Sequence, residues 1–125
     1  MEKQNYHEGQ KFASPEEELL YLKERIAKKE HELELKKEKQ PREKAVKEVF
    51  KEYKRQAPEK VLAENYKLEE KEAKAVALDL NPEKHDEQMA SLLGILQQKG
   101  LMNVLSVVKK MNNPHIEDDF ERFLV

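Results

Sequence analysis

The sequence predicts an all-α protein: a kinked, charged helical arm or hairpin over residues 14–80, followed by a compact three-helix module over 81–125. Three observations carry this. The 125 residues include only 3 Gly, while charged residues make up 40% and hydrophobic residues 38%, a balance that suits long helices better than an α/β domain. Apolar residues recur at spacings of three and four. Five prolines (Pro15, Pro41, Pro58, Pro82 and Pro114) punctuate the chain, and the first turn of a helix is where proline is best tolerated. The length suits one domain, with a disordered start over residues 1–13.

Ser14 is a sound N-cap for a first helix of residues 15–40, and Ser14-Pro15-Glu16-Glu17 reads as a capping box. Phe12, Leu19, Ile26 and Leu33 stand seven apart, and Leu22 fills one intervening position. Lys29 and Lys36 occupy the later ones, so the coiled-coil seam is partial. Gln40 and Ala57 cap poorly, so Pro41 and Pro58 either kink one long helix or break it. Residues 42–57 set Val46, Val49, Phe50 and Tyr53 on one face, and residues 58–80 do the same with Leu62, Tyr66, Ala73, Val76 and Leu80. Glu24–Lys28, Glu32–Lys36, Glu43–Lys47 and Glu70–Lys74 have the favourable i,i+4 order, each worth ~0.2–0.5 kcal/mol. The charged faces are wide and the apolar stripes thin. The stripes must bury in an antiparallel hairpin within the chain, or against a partner helix or a second copy.

From Asn81 the character changes. Asn81 is a candidate N-cap for a helix of residues 82–99 bearing Met89, Leu92, Leu93 and Leu96, and Gly100 stands where a left-handed residue would end it. A second helix, 101–112, carries Leu101, Val104, Leu105, Val108 and Met111. Asn112-Asn113-Pro114 makes a turn and a fresh cap for a third helix, 114–125, bearing Ile116, Phe120, Phe123 and Leu124. Glu117, Asp118 and Asp119 fall in its first turn, where carboxylates suit the positive end of the helix dipole. Such a short module sits near the lower size limit for independent folding and should borrow apolar surface from the arm or a partner. Leu124-Val125 ends the sequence inside an apolar stretch, as expected of a fragment of a longer protein or of a last turn that docks.

The residues argue against most chemistry. The net charge of −2 creates no field that would draw the whole molecule to nucleic acid or anionic lipid. With 0 Cys there is no disulfide and no thiolate ligand. Met1 to Phe12 lacks an apolar signal core, and no apolar run reaches the ~18 residues of a membrane span, so a cytoplasmic protein is expected. His7, His31, His85 and His115 are the imidazoles, and none repeats an H-x-x-x-H spacing; no metal, cofactor or small-molecule substrate is expected. There is no phosphate-binding glycine loop, no nucleophile elbow and no thiol nucleophile, so no catalytic residue is assigned. An enzyme would need a cleft between arm and module containing a buried carboxylate.

Leu93-Gly94-Ile95-Leu96, then Gly100, then Val104 to Met111 and Ile116 to Leu124, resembles the rhythm of helix-turn-helix domains. The resemblance implies a last helix in the major groove. Here that helix carries four acidic residues (Glu117, Asp118, Asp119 and Glu121) against Arg122, which would repel phosphates. The better nucleic-acid candidate is the stretch 36–60, with ten Lys or Arg against five Glu and with Phe50 and Tyr53 interleaved. Lys47, Lys51, Lys54 and Arg55 would carry such binding. Separately, Leu92 to Val125 resembles a helical segment of uncharacterised bacterial proteins known mainly from metagenomes, especially over Gly100 to Val108 and Asn113 to Phe120. That resemblance implies no activity.

The leading expectation is a non-catalytic protein–protein interaction or assembly protein, its apolar stripes meeting a protein partner or a second copy. Leu19, Leu22, Ile26 and Leu33 form the expected contact stripe of the arm, and Phe120, Phe123 and Leu124 a second surface. Nucleic-acid association through 36–60 is the alternative.

Overall fold

The computed structural model describes residues 11–124. They form seven helices: α1 (Pro15–Leu35), α2 (Pro41–Lys54), α3 (Pro58–Val61), α4 (Glu70–Leu80), α5 (His85–Lys99), α6 (Leu101–Met111) and α7 (Pro114–Leu124). The class is all-α; the described residues contain no strand beyond an isolated parallel bridge between Phe12 and Leu62. Of the expected disordered start, residues 1–10 lie outside the described residues. Phe12, by contrast, is buried, and its backbone pairs with Val61 and Ala63.

The expected start of α1 is present in detail. Ser14 Oγ accepts the Glu17 amide at 3.2 Å, and the Glu17 carboxylate reaches back to the Ala13 amide at 2.8 Å. Its end was not legible. Lys37 adopts a left-handed φ of 59°, the Glu38 amide donates to Leu33 O and the Lys37 amide to Glu34 O. This is the Schellman pattern, which uses up the last carbonyls of α1. Pro41, which lacks an amide proton, then opens α2, so the arm breaks here and folds back as the α1–α2 hairpin. Arg25–Glu52 at 3.1 Å and Lys29–Glu48 at 3.3 Å stitch its exposed edge.

Pro58 also breaks the chain. Helix α3 is a single turn, and residues 62–69 are not the helix that Leu62 and Tyr66 suggested. Leu62 is extended because its neighbours hydrogen-bond to Phe12, a contact from 50 residues upstream that outweighs local periodicity. The fully buried Asn103 holds the rest of this segment: its Oδ1 accepts the Leu68 amide at 2.9 Å and its Nδ2 donates to Tyr66 O at 3.1 Å. Asn81 ends α4 rather than capping the next helix; α5 starts at His85, and buried Gln88 donates to the Leu80 and Asn81 carbonyls. Gly100 and Asn113 act where expected. Gly100 separates α5 from α6 at φ +86°, and Asn113 Oδ1 caps α7 by accepting the His115 and Ile116 amides.

Arm and module are not separate bodies. One core joins Ala73, Ala77 and Leu80 of α4 to Leu92, Val104, Val107, Val108, Met111, Ile116 and Phe120. The compact unit therefore has four helices, because α4 supplies the apolar surface that three short helices lack. A second core collects Phe12, Leu22, Val49, Tyr53, Val61 and Leu62 around Met102. Helix α6 serves both, presenting Met102 to one and Val104, Val107 and Val108 to the other. Lys54 of α2 pairs with Glu121 of α7 across the junction.

Candidate functional site

Where the hairpin meets α5 and α6, an apolar groove of about 500 Å³ stays open. Leu19, Leu22 and Ile26 of α1 form one wall and Val46, Val49 and Phe50 of α2 the next. Leu96, Leu101 and Leu124 close the far side, and Glu16, Lys23 and Gln97 are its polar members. The geometry follows from the helix period. Positions 19, 22 and 26 share one side of α1, and Leu124, at the end of α7, lines the same groove.

At the inner end lies Glu18, 1% exposed. Its Oε1 accepts the Leu101 amide at 2.8 Å and the Tyr66 hydroxyl at 3.2 Å; its Oε2 accepts the Met102 amide at 2.7 Å and the Tyr53 hydroxyl. The two amides are the first of α6, whose N-cap residue is Gly100 and carries no side chain to serve them. Burial, reinforced by the negative Glu18 carboxylate and the hydrogen bond to it, pushes both the Tyr53 and the Tyr66 hydroxyls well above the usual tyrosine range. A carboxylate offers about four lone-pair sites, and four donors occupy them. The structure thus has both the cleft and the buried carboxylate that an enzyme would need. However, no lone pair of that carboxylate is left for proton transfer to a substrate.

The residues expected at partner surfaces divide. Leu19 is 53% exposed and Ile26 partly so, both at the groove. Leu22 and Leu33 are buried, Leu22 in the second core and Leu33 near the hairpin turn, because the hairpin hides that side of α1. Phe120 has no exposed surface and belongs to the main core, whereas Phe123 is 61% exposed and Leu124 partly so. Leu20, 40% exposed, was not singled out by the heptad count but extends the patch. Of the basic set, Lys54 is engaged by Glu121 and lies 5.8 Å above the Phe50 ring, while Lys47, Lys51 and Arg55 are exposed on or beside α2.

A second cluster joins two histidines that the sequence shows only beside separate acidic residues. His85 at the start of α5 and His115 in the first turn of α7 converge on Asp119. The His115–Asp119 half is an i,i+4 pair on one helix and could have been found by allowing a carboxylate in the H-x-x-x-H pattern. His85, thirty positions away, has no local signal. No helix among the described residues is long and apolar enough to cross a membrane. No family model, curated protein or solved structure matches the chain.

Proposed function

We propose that the protein is a non-catalytic assembly protein that pairs with a second copy of itself along α1. The supporting observation is a self-complementary stripe. Glu16, Leu19, Leu20 and Lys23 are all exposed, and the rises of three and four place them on one side of the helix. Apolar residues stand at the centre and opposite charges at the ends, about 10 Å apart. Rotating this stripe by a two-fold axis between positions 19 and 20 sets Leu19 against Leu20 of the second copy. The same rotation sets Glu16 against Lys23 of the second copy, and it does so twice, as an isologous contact requires. The second copy also covers the mouth of the groove beside Leu19.

The contact is short. Two turns of helix bury well under the ~1,200–2,000 Å² of a stable interface, so the association is weak and reversible. Sedimentation across the micromolar range tests it: average mass rises with concentration for the parent and stays monomeric for Leu19→Asp. Glu16→Lys and Lys23→Glu each oppose like charges and weaken pairing, while the double variant restores the match and the dimer. A monomeric mass for the parent at every concentration, or a double variant no better than the singles, removes this reading.

A further inference from the structure

We propose that His85, His115 and Asp119 form a three-ligand site for a divalent transition-metal ion, with Zn²⁺ the ion that best suits the donors. This stands apart from α1 and does not depend on self-pairing. His85 Nε2 lies 2.9 Å from Asp119 Oδ2, and His115 Nε2 lies 3.6 Å from the same oxygen. One ligand atom from each residue falls within 4.8 Å of the other two, and the imidazole rings are 5.2 Å apart at an angle of 37°. Tetrahedral bonds of ~2.0–2.1 Å require ligand atoms about 3.3–3.4 Å apart. The two separations from Asp119 Oδ2 bracket that edge, and the third, between the imidazoles, lies within 4.8 Å, so side-chain rotation without backbone movement would seat an ion.

The donor types narrow the choice. Two neutral imidazoles with one carboxylate are a Zn²⁺, Co²⁺ or Ni²⁺ set; Ca²⁺ and Mg²⁺ prefer oxygen throughout. The carboxylate is oriented from behind, since Arg122 Nη1 lies 3.5 Å from Asp119 Oδ1 and leaves Oδ2 toward the histidines. The helix starts of α5 and α7 oppose a cation with about half a charge each. Against them stand Asp119 itself and the acids nearby in sequence, Asp86, Glu87, Glu117 and Asp118, which outnumber the cations Arg122 and Lys84, so the local balance favours cations. Three protein ligands leave a fourth position for water. The ligands come from two helices that already pack against each other in the main core, so the ion acts as a further clip at the edge of the α5–α7 contact. That clip would strengthen the fold by mass action, since the unfolded chain does not preassemble the three ligands.

The test uses the full chain and Zn²⁺ alone. Calorimetric titration gives one ion per chain, and Zn²⁺ raises the Tm by several degrees where Mg²⁺ does not. Replacing Zn²⁺ by Co²⁺ produces the visible absorption of a four-coordinate cobalt site. His85→Ala, His115→Ala and Asp119→Ala each weaken Zn²⁺ binding at least about 10-fold and abolish the cobalt band. His31→Ala leaves both unchanged. These variants sit at a partly exposed site, and circular dichroism of each metal-free variant separates misfolding from ligand loss. A parent that fails to bind, or binding that survives loss of His85 with the fold intact, overturns the site.

Discussion

The Glu18 carboxylate accepts the amide of Met102 at 2.7 Å, joining residues 84 positions apart where the α1–α2 hairpin meets α6. An acid that reads as one of three glutamates in a first helical turn is in fact the side-chain cap of a different helix. Glu18→Gln replaces one acceptor oxygen by an NH₂ group and turns at least one donor against another donor. A buried group stripped of its partner costs roughly 1–3 kcal/mol, and more when charge is involved. Urea unfolding should show Glu18→Gln destabilised by about 2–4 kcal/mol, with exposed Glu16→Gln within about 0.5 kcal/mol of the parent. Equal effects at the two positions would contradict the capping role.

Alkaline pH should loosen the same junction. Tyr53 and Tyr66 have hydroxyls raised above the unfolded value of about 10, chiefly by burial and then by the Glu18 charge. Above that pH the unfolded chain loses protons that the native state keeps, so stability falls as pH rises; below it the contribution is complete. Tm measured from pH 8 to above about pH 11 should decline steeply past pH 10. The double variant Tyr53→Phe, Tyr66→Phe, though less stable at neutral pH, should decline less. Parallel curves would assign the loss to lysines instead.

Gly100 is irreplaceable for two reasons. Its φ of +86° disfavours any side chain, and a Cβ there would stand 1.9 Å from Tyr66 Oη and 2.2 Å from Glu18 Oε1. Gly100→Ala should lower stability by more than about 2 kcal/mol through displacement of the cap as well as strain. Gly94 meets nothing within 4 Å of an added Cβ and lies inside α5, so Gly94→Ala should stabilise by about 0.5–1 kcal/mol. Thermal unfolding of the pair gives opposite signs, and a shared sign would refute the account.

Lys37 offers the reverse case. It is held at a φ of 59° by the Schellman turn that ends α1, at the position that glycine usually fills. Lys37→Gly should gain about 0.5–1 kcal/mol from relief of the left-handed penalty, after the greater freedom of the unfolded chain is subtracted. Asn112→Gly, at φ 54°, should change little, because asparagine tolerates this conformation. A destabilised Lys37→Gly variant in the same denaturant series would count against the reading of this turn.

Local rules were enough for much of the helix map. Ser14 with Pro15, Gly100, and Asn113 with Pro114 each mark a boundary through a hydrogen bond or a φ that depends only on neighbours. The apolar periodicity of α6 likewise located a core helix, though not the fact that it serves two cores. Where the sequence was ambiguous, a distant contact decided. Leu62 is extended because Phe12 pairs beside it, and Asn81 ends a helix because Gln88 caps the carbonyls there. Phe120 and Phe123 read as equivalent greasy positions on one helix, yet only Phe120 reaches the core.

By itself, then, the sequence determined an all-α chain, most of its helix starts and the stripes that had to be covered, because capping, proline geometry and side-chain period act over a few residues. Tertiary structure alone decided which stripe stayed open along Leu19, that Glu18 would cap α6, and that His85 would meet His115 and Asp119. Those outcomes rest on contacts between residues from thirty to more than eighty positions apart, and no local preference encodes which distant face a helix will find.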